Sequence, residues 1–321
     1  MADILAIETK DLTKNYGKDT VVDHLNFHVK ENEVFGLLGP NGAGKTTTIL
    51  MMLGLTEPAS GTVRVCGFDP TREPIKVKRI VGYLPEAVGF YDDLTARQNL
   101  EFIAGLNNIS RTDSRRNIDS VLETVGLTEQ RDVVTKKFSR GMKQRLGIAD
   151  VLIKEPKLII LDEPTSGLDP QGINQLLDII VGLPKMGTTV LLSSHQLYQV
   201  QKVCHSIGIL SRGKMVIEGS IDKLSREALA GGRYIIEVEI AEPKVELADI
   251  IRKVKGIDRV EVDGKVLKIS TDTDLRSQIA KAVVDSNALL VQMKLHEFSL
   301  DDIYMKYFKE SQDLHNASDT A

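Results

Sequence analysis

No stretch of this 321-residue chain approaches the roughly eighteen consecutive apolar residues of a membrane-spanning helix. The start, Met1-Ala2-Asp3, lacks the basic and apolar segments of a secretory signal, so the expectation is a protein that works inside the cell. Cysteine is scarce. Cys66 and Cys204 stand far apart, without the spacing of a metal site, which fits a reducing compartment. His205 beside Cys204 reads as a surface pair rather than a ligand pair. Excess charge of one sign is missing as well. The 41 Lys and Arg against 45 Asp and Glu leave a net charge of -4, which gives no electrostatic reason to bind nucleic acid. No low-complexity linker interrupts the chain before a polar tail at 311–321, expected to be frayed. What remains, 42% hydrophobic and 27% charged, is an ordinary globular composition, and the length suggests about two domains.

Against that plain background one segment stands out. Gly39-Pro40-Asn41-Gly42-Ala43-Gly44-Lys45-Thr46 is a full G-x-x-x-x-G-K-[ST] match, with Thr47 behind it. It follows the apolar run Val34–Leu38 and precedes the helix-like 47–53, the strand, loop, helix order of a phosphate-binding loop. The glycines let several backbone N–H groups point into one concavity, and the helix adds its positive dipole end. Lys45 would reach the β- and γ-phosphates of a nucleoside triphosphate, and the Thr46 hydroxyl would ligate Mg²⁺.

The rest of the chain supplies the frame. Leu25, Phe27 and Val29 alternate with polar residues as in a half-buried strand, and Ser60-Gly61 turns into a second strand at 62–65. After Tyr91 the texture becomes helical. Thr95 and Gln98 form a capping box, a second helix carries Ile118, Val121, Leu122 and Val125 up to Gly126, and a third runs from about Gly141 to Ile153. Buried-strand texture returns at Leu158–Leu161 and Thr189–Leu192 with a helix, 173–181, between them. A helical block at about 88–155 is therefore inserted into an α/β core spanning 1–230. Past Ala230-Gly231-Gly232, strands and helices in β-α-β-β-α-β order predict a ferredoxin-like domain at 231–310. Its hairpin turns at Asp263-Gly264, and a final short helix is expected, capped by Ser299 with Asp302.

A phosphate loop alone fits kinases, GTPases and transport ATPases equally. The buried run Leu158–Leu161 ends in Asp162-Glu163, which sets Asp162 rigidly where it can bind the Mg²⁺ shell and Glu163 where it can accept a proton from water. Phe138-Ser139-Arg140-Gly141-Met142-Lys143-Gln144-Arg145 resembles the signature motif of ABC-type ATPases. With the phosphate loop, Asp162-Glu163, Ser166-Gly167-Leu168-Asp169 and Ser194-His195, five elements stand in the order of that family, and the resemblance covers roughly residues 4–225.

The resemblance implies a P-loop ABC ATPase core, a mixed sheet plus the inserted helical subdomain, with ATP and Mg²⁺ as ligands. Tyr16 would stack on adenine and Asn41 to Thr47 would wrap the phosphates. Glu163 would be the general base, and His195 would contact the γ-phosphate. Asp169 would lie at a subunit interface, while Ser139 and the Gly141 N–H would act in trans on ATP held by a second subunit. The partners implied are a copy of the chain or a paralogous cassette, in a head-to-tail dimer, and an integral membrane permease that would hold the protein at the inner face of the membrane.

Three residues depart from the family pattern. Glu86 stands where Gln usually contacts Mg²⁺; a carboxylate can ligate the ion but cannot donate a hydrogen bond. Arg140 replaces a signature glycine, and Met142 replaces Gln. Glu86 and Met142 resemble markers of an exporter-associated branch, as does the C-terminal stretch Leu295–Tyr304. The leading expectation is thus the ATPase subunit of an exporter. A soluble ABC ATPase with a non-transport partner, or a regulatory module with weak turnover, are the alternatives.

Overall fold

The computed structural model describes residues 4–228, 234–243 and 245–296. The chain divides into two compact units at Gly219/Ser220. That division precedes the Ala230-Gly231-Gly232 stretch expected to mark it. The C-terminal helix at Ser299, the 311–321 tail and most of Leu295–Tyr304 lie outside the described residues.

In the first unit, β1 (Leu5–Tyr16) and β2 (Asp19–Lys30) form a long antiparallel ribbon. β3 (Val34–Leu38) then leads into α1 (Lys45–Met52). β4 (Ser60–Val65) joins the free edge of β1, so the ribbon becomes a sheet ordered β2-β1-β4. α2 (Pro74–Ile80) and β5 (Val81–Leu84) come next. The helical block consists of α3 (Ala96–Leu106), α4 (Arg111–Thr124) and α5 (Arg140–Leu152). β6 (Leu158–Asp162), α6 (Pro170–Gly182), β7 (Thr189–Ser194) and α7 (Leu197–Val203) return to the core. β8 (Ser206–Ser211) and β9 (Lys214–Ser220) close the unit.

The second sheet of this unit is ordered β5-β6-β7-β3-β8-β9, with every pairing from β5 to β8 parallel. Every residue of β3, β6 and β7 is buried. Parallel strands covered on both faces read as continuous apolar runs, which is why these three were legible as strands. The two-residue turn Arg212-Gly213 has φ of +48° and +81°, and positive φ at both central positions matches the twist of a tight hairpin.

Local signals place the helical block. Thr95 accepts a bond from the Gln98 N–H while the Gln98 side chain accepts from the Thr95 N–H, the reciprocal capping box. Ser110 caps α4, and Gly126 follows it at φ +64°. α5 is capped by Ser139 and stops before Pro156.

The second unit contains α8 (Ile221–Ala228), β10 (Tyr234–Ile240), α9 (Val245–Arg252), β11 (Ile257–Asp263), β12 (Val266–Thr271), α10 (Arg276–Asp285) and β13 (Leu290–His296). Its sheet is ordered β11-β12-β10-β13, the ferredoxin-like arrangement that β-α-β-β-α-β implies. Ile236, Val238, Leu267 and Ile269 on the sheet pack with Leu247, Ile251, Ile279 and Val283 on the helices as a core of its own. Asp263 pairs with Val266, so the hairpin is centred on Gly264-Lys265, one residue beyond the expected turn. Gly264 has φ +61°, the positive value that a tight two-residue turn needs at its first central position.

Candidate active site

Five of the residues singled out in sequence, Lys45, Thr46, Asp162, Glu163 and His195, meet at the carboxyl ends of β3, β6 and β7. The loop from Gly39 to Gly44 leaves β3 and turns into α1 with Gly44 at φ +100°. A side chain on Gly44 would stand 2.7 Å from the Val21 carbonyl oxygen of β2, so this position needs glycine for both its backbone angle and its fit. No side chain caps α1, which leaves its first-turn N–H groups to whatever the loop encloses. Pro40, Asn41, Gly42 and Thr47 line the more accessible parts of this turn, whereas Ala43 is buried.

Lys45 is 6% exposed, and its Nζ donates to the Gly39 carbonyl at 2.7 Å and the Pro40 carbonyl at 3.3 Å. The same ammonium lies 3.4 Å from Glu163 Oε1, an ion-pair contact without the alignment of a hydrogen bond. Thr46 Oγ1 donates to Asp162 Oδ2 at 3.1 Å. This contact ties the first turn of α1 to the end of β6, 116 positions on in sequence. His195, just past β7, brings Nδ1 to 2.9 Å from Glu163 Oε2. Glu163 itself has φ +47°, an angle uncommon for a non-glycine residue, and its N–H donates to the Ser193 carbonyl at 3.1 Å. That backbone strain re-aims the carboxylate toward Lys45 and His195.

Three side-chain oxygens here are buried without a hydrogen-bond partner among the described residues: Asp162 Oδ1, Glu163 Oε1 and Ser193 Oγ. A buried polar atom with no partner costs about 1–3 kcal/mol, and since Glu163 Oε1 has the Lys45 ammonium beside it, Asp162 Oδ1 and Ser193 Oγ are the two that mark a place prepared for a polar ligand. The field of Asp162 also reaches Tyr83 on β5, whose phenol is pushed above its usual range first by burial and then by that carboxylate.

Glu86 lies outside this cluster of contacts. Its Oε1 accepts from the Ser166 hydroxyl at 3.1 Å, in the loop that follows Glu163. In that same loop Thr165 donates to Gln199 on α7, and the guanidinium of Arg140 lies against Gly167. A side chain at Gly167 would meet Arg140 Nη1 at 2.2 Å. The loop is thus gripped from two helices and the loop after β5, an arrangement invisible to motif spacing because each contact joins distant parts of the chain.

Ser139 caps α5, its Oγ accepting from the Met142 N–H at 3.2 Å, and stays exposed beside the half-buried Gly141. Asp169 caps α6 by accepting from the Gly172 N–H at 3.3 Å. A Cβ on Gly141 would lie 3.9 Å from Gly172 Cα, so the two helix starts are neighbours. No hydrogen bond or ion pair joins Ser139 or Gly141 to Lys45, Thr46, Asp162, Glu163 or His195 among the described residues. Tyr16, at the end of β1, is half exposed, with Lys14 Nζ 5.1 Å from its ring centroid.

Comparison with known proteins agrees with this geometry. A family profile described as ABC transporter matches residues 22–166. The bacitracin transport ATP-binding protein BcrA of Bacillus licheniformis is 37% identical over 303 residues, covering 94% of this chain and 96% of that protein. The linearmycin resistance ATP-binding protein LnrL of Bacillus subtilis is 36% identical, covering 92% of each chain. A solved structure of the ATP-binding subunit of an ABC transporter superposes with a TM-score of 0.64 at 33% identity, over 71% of this chain and 95% of its own.

Proposed function

The chain belongs to the ABC transporter ATP-binding proteins, ATPases coupled to transport, and from that premise we propose that it drives a separately encoded membrane permease that exports its cargo. The transport and resistance names of BcrA and LnrL support that direction. No helix among the described residues is long and apolar enough to cross a membrane, so the pathway would belong to the permease, with this subunit at its inner face.

The observation that carries the reading is the meeting of Lys45, Thr46, Asp162, Glu163 and His195 through direct contacts at one end of the parallel sheet. ATP entering this loop would draw Lys45 Nζ from the Gly39 and Pro40 carbonyls toward its phosphates. Tyr16, exposed at the end of β1, is available to the adenine. Thr46 Oγ1 and the Asp162 carboxylate bring two sources of protein oxygen together. Such a donor set suits Mg²⁺, which is commonly held by one or two protein oxygens together with substrate phosphates. Thr46 Oγ1 and Asp162, with its orphaned Oδ1, would hold it, and Glu86 would approach it only after releasing Ser166. When bound, Mg²⁺ would neutralise phosphate charge. Glu163 would take the proton of the attacking water, and His195, in contact with Glu163, would orient that carboxylate and meet the γ-phosphate.

The exposed start of α5 at Ser139 and Gly141 serves a second subunit in this reading. A helix N-terminus bearing a serine favours an anion, so ATP bound by one subunit would be capped by α5 of the other in a head-to-tail dimer. Asp169, beside Gly141, would sit at that interface. ATP makes contacts available only to the closed dimer, and hydrolysis removes them.

The test is Glu163→Gln. It keeps the phosphate contacts and removes the base, so steady-state hydrolysis should fall about 100-fold or more while ATP binding persists. Sedimentation with ATP should show an accumulated dimer. Turnover near that of the parent chain would refute the role of Glu163, and a monomer at saturating ATP would refute dimer closure.

A further inference from the structure

Ser193 belongs to no motif that identified the site, yet its position is unusual. It lies at the end of β7, in the centre of the parallel sheet, and is fully buried. Parallel register pairs it with Asp162 on β6 and with Leu37 on β3, the strand that feeds the phosphate loop. In-register neighbours of parallel strands present their side chains on the same face. Asp162 bonds Thr46 of α1 on that face, so the Ser193 hydroxyl belongs to the face of the sheet that α1 covers. A hydroxyl can donate and a carboxylate can accept, yet Ser193 Oγ and Asp162 Oδ1 both lack a hydrogen-bond partner among the described residues. Two complementary groups side by side, both buried and neither bonded, point to something polar that bridges them.

We propose that Ser193 is a positioning residue of the nucleotide site. With Asp162 Oδ1 it holds a water of the hydrated cation that accompanies the triphosphate, and so fixes the Asp162 carboxylate with its other oxygen on Thr46. The Ser193 carbonyl already receives the Glu163 N–H, so the same residue anchors both acidic side chains: one through its backbone, the other through its hydroxyl. This rests on the reading of the site as an ATP–metal site and adds to it a residue outside the phosphate loop, the acidic pair and His195.

The experiment compares the full chain with Ser193→Ala and Ser193→Thr, using Mn²⁺ as a spectroscopic probe. ATP affinity in EDTA should match the parent for both variants. In the ATP complex, Ser193→Ala should bind Mn²⁺ about tenfold more weakly by electron paramagnetic resonance titration, the usual cost of losing an outer-shell partner, and Ser193→Thr should restore most of it. Without ligands, Ser193→Ala should melt at the parent temperature or above it, because the hydroxyl it removes has no partner to lose. The stabilisation added by ATP with Mn²⁺ should be smaller. A ligand-free Ser193→Ala that melts well below the parent, with unchanged Mn²⁺ affinity, would make Ser193 structural and overturn the proposal. If the parent chain binds ATP but gains no affinity or stability from Mn²⁺, the metal-site reading itself fails and this inference falls with it. A parent that responds alongside an Ala variant that responds equally removes only the role of Ser193.

Discussion

The two units treat their charged residues in opposite ways. At the ends of β3, β6 and β7 the first unit buries Lys45 and Asp162 and nearly buries Glu163, and it leaves a carboxylate oxygen of each acid without a hydrogen bond. The sheet of the second unit buries its apolar residues against α9 and α10 and puts its charges on the alternate positions. Register there aligns Glu261, Lys268, Glu237 and Lys294 across four strands, so the signs alternate along a row. Burial without full pairing is costly and persists where a ligand completes it, whereas an exposed alternating row keeps a sheet face wet and unattractive to other strands. The comparison separates charge kept for chemistry from charge kept for solubility.

Asp162→Asn presses hardest on the first half of that contrast. If Asp162 serves the ligand rather than the fold, hydrolysis should drop about 100-fold or more while the ligand-free melting temperature holds or rises, since the amide removes a poorly satisfied buried charge. Calorimetry beside a phosphate-release assay reads both. A large loss of stability would place Asp162 among structural charges and erase the distinction.

Asp150 offers an intermediate case, a half-buried acid in the first unit away from the phosphate loop. It lines a cleft with Leu53, Tyr83 and Lys154, and burial raises its carboxyl to about 6 despite the nearby lysine. The folded chain therefore holds a proton between about pH 4 and 6 that the unfolded chain has released, and stability falls as pH rises through that window. Asp150→Asn has no such slope. It should equal the parent below about pH 4 and exceed it by about 3 kcal/mol at pH 7, measured by urea denaturation across pH. An equal gap at pH 3.5 and pH 7 would show that titration is not the cause.

Much of this contrast is legible in the sequence. Local signals are short-range, so the Thr95 capping box, the strand runs at 34–38, 158–161 and 189–192, and the order of elements in the second unit follow from neighbours in sequence. The phosphate loop and Asp162-Glu163 were likewise readable because each is contiguous. What the pattern did not expose depends on pairing at a distance. β5 carries only Val81–Leu84 and is defined by lying beside β6. β1 breaks register repeatedly along β2, with Asp11 at φ +48°, so no clean alternation announces it. Ser193 is one serine in an apolar strand until β6 sets Asp162 beside it, and Arg140 replaces a glycine without sign that its guanidinium would rest on Gly167.

Lys268→Glu tests the second half of the contrast and should give the smallest effect. Lys268 faces Glu261 on one side and Glu237 on the other, so the substitution would set three carboxylates in a row across β11, β12 and β10. Like charges directly opposite on antiparallel strands destabilise by a few tenths to about 1 kcal/mol, and exposed ones are screened by salt. The second unit should therefore unfold slightly earlier at low ionic strength, and the difference should shrink at 1 M salt, where the screening length is about 3 Å. ATP hydrolysis by the full chain should stay within twofold of the parent, because this row holds none of the groups around Lys45. A salt-insensitive loss would mean that Lys268 contributes through its aliphatic stem, and a fall in hydrolysis comparable to that of Asp162→Asn would mean that the charges of the second unit also serve the reaction.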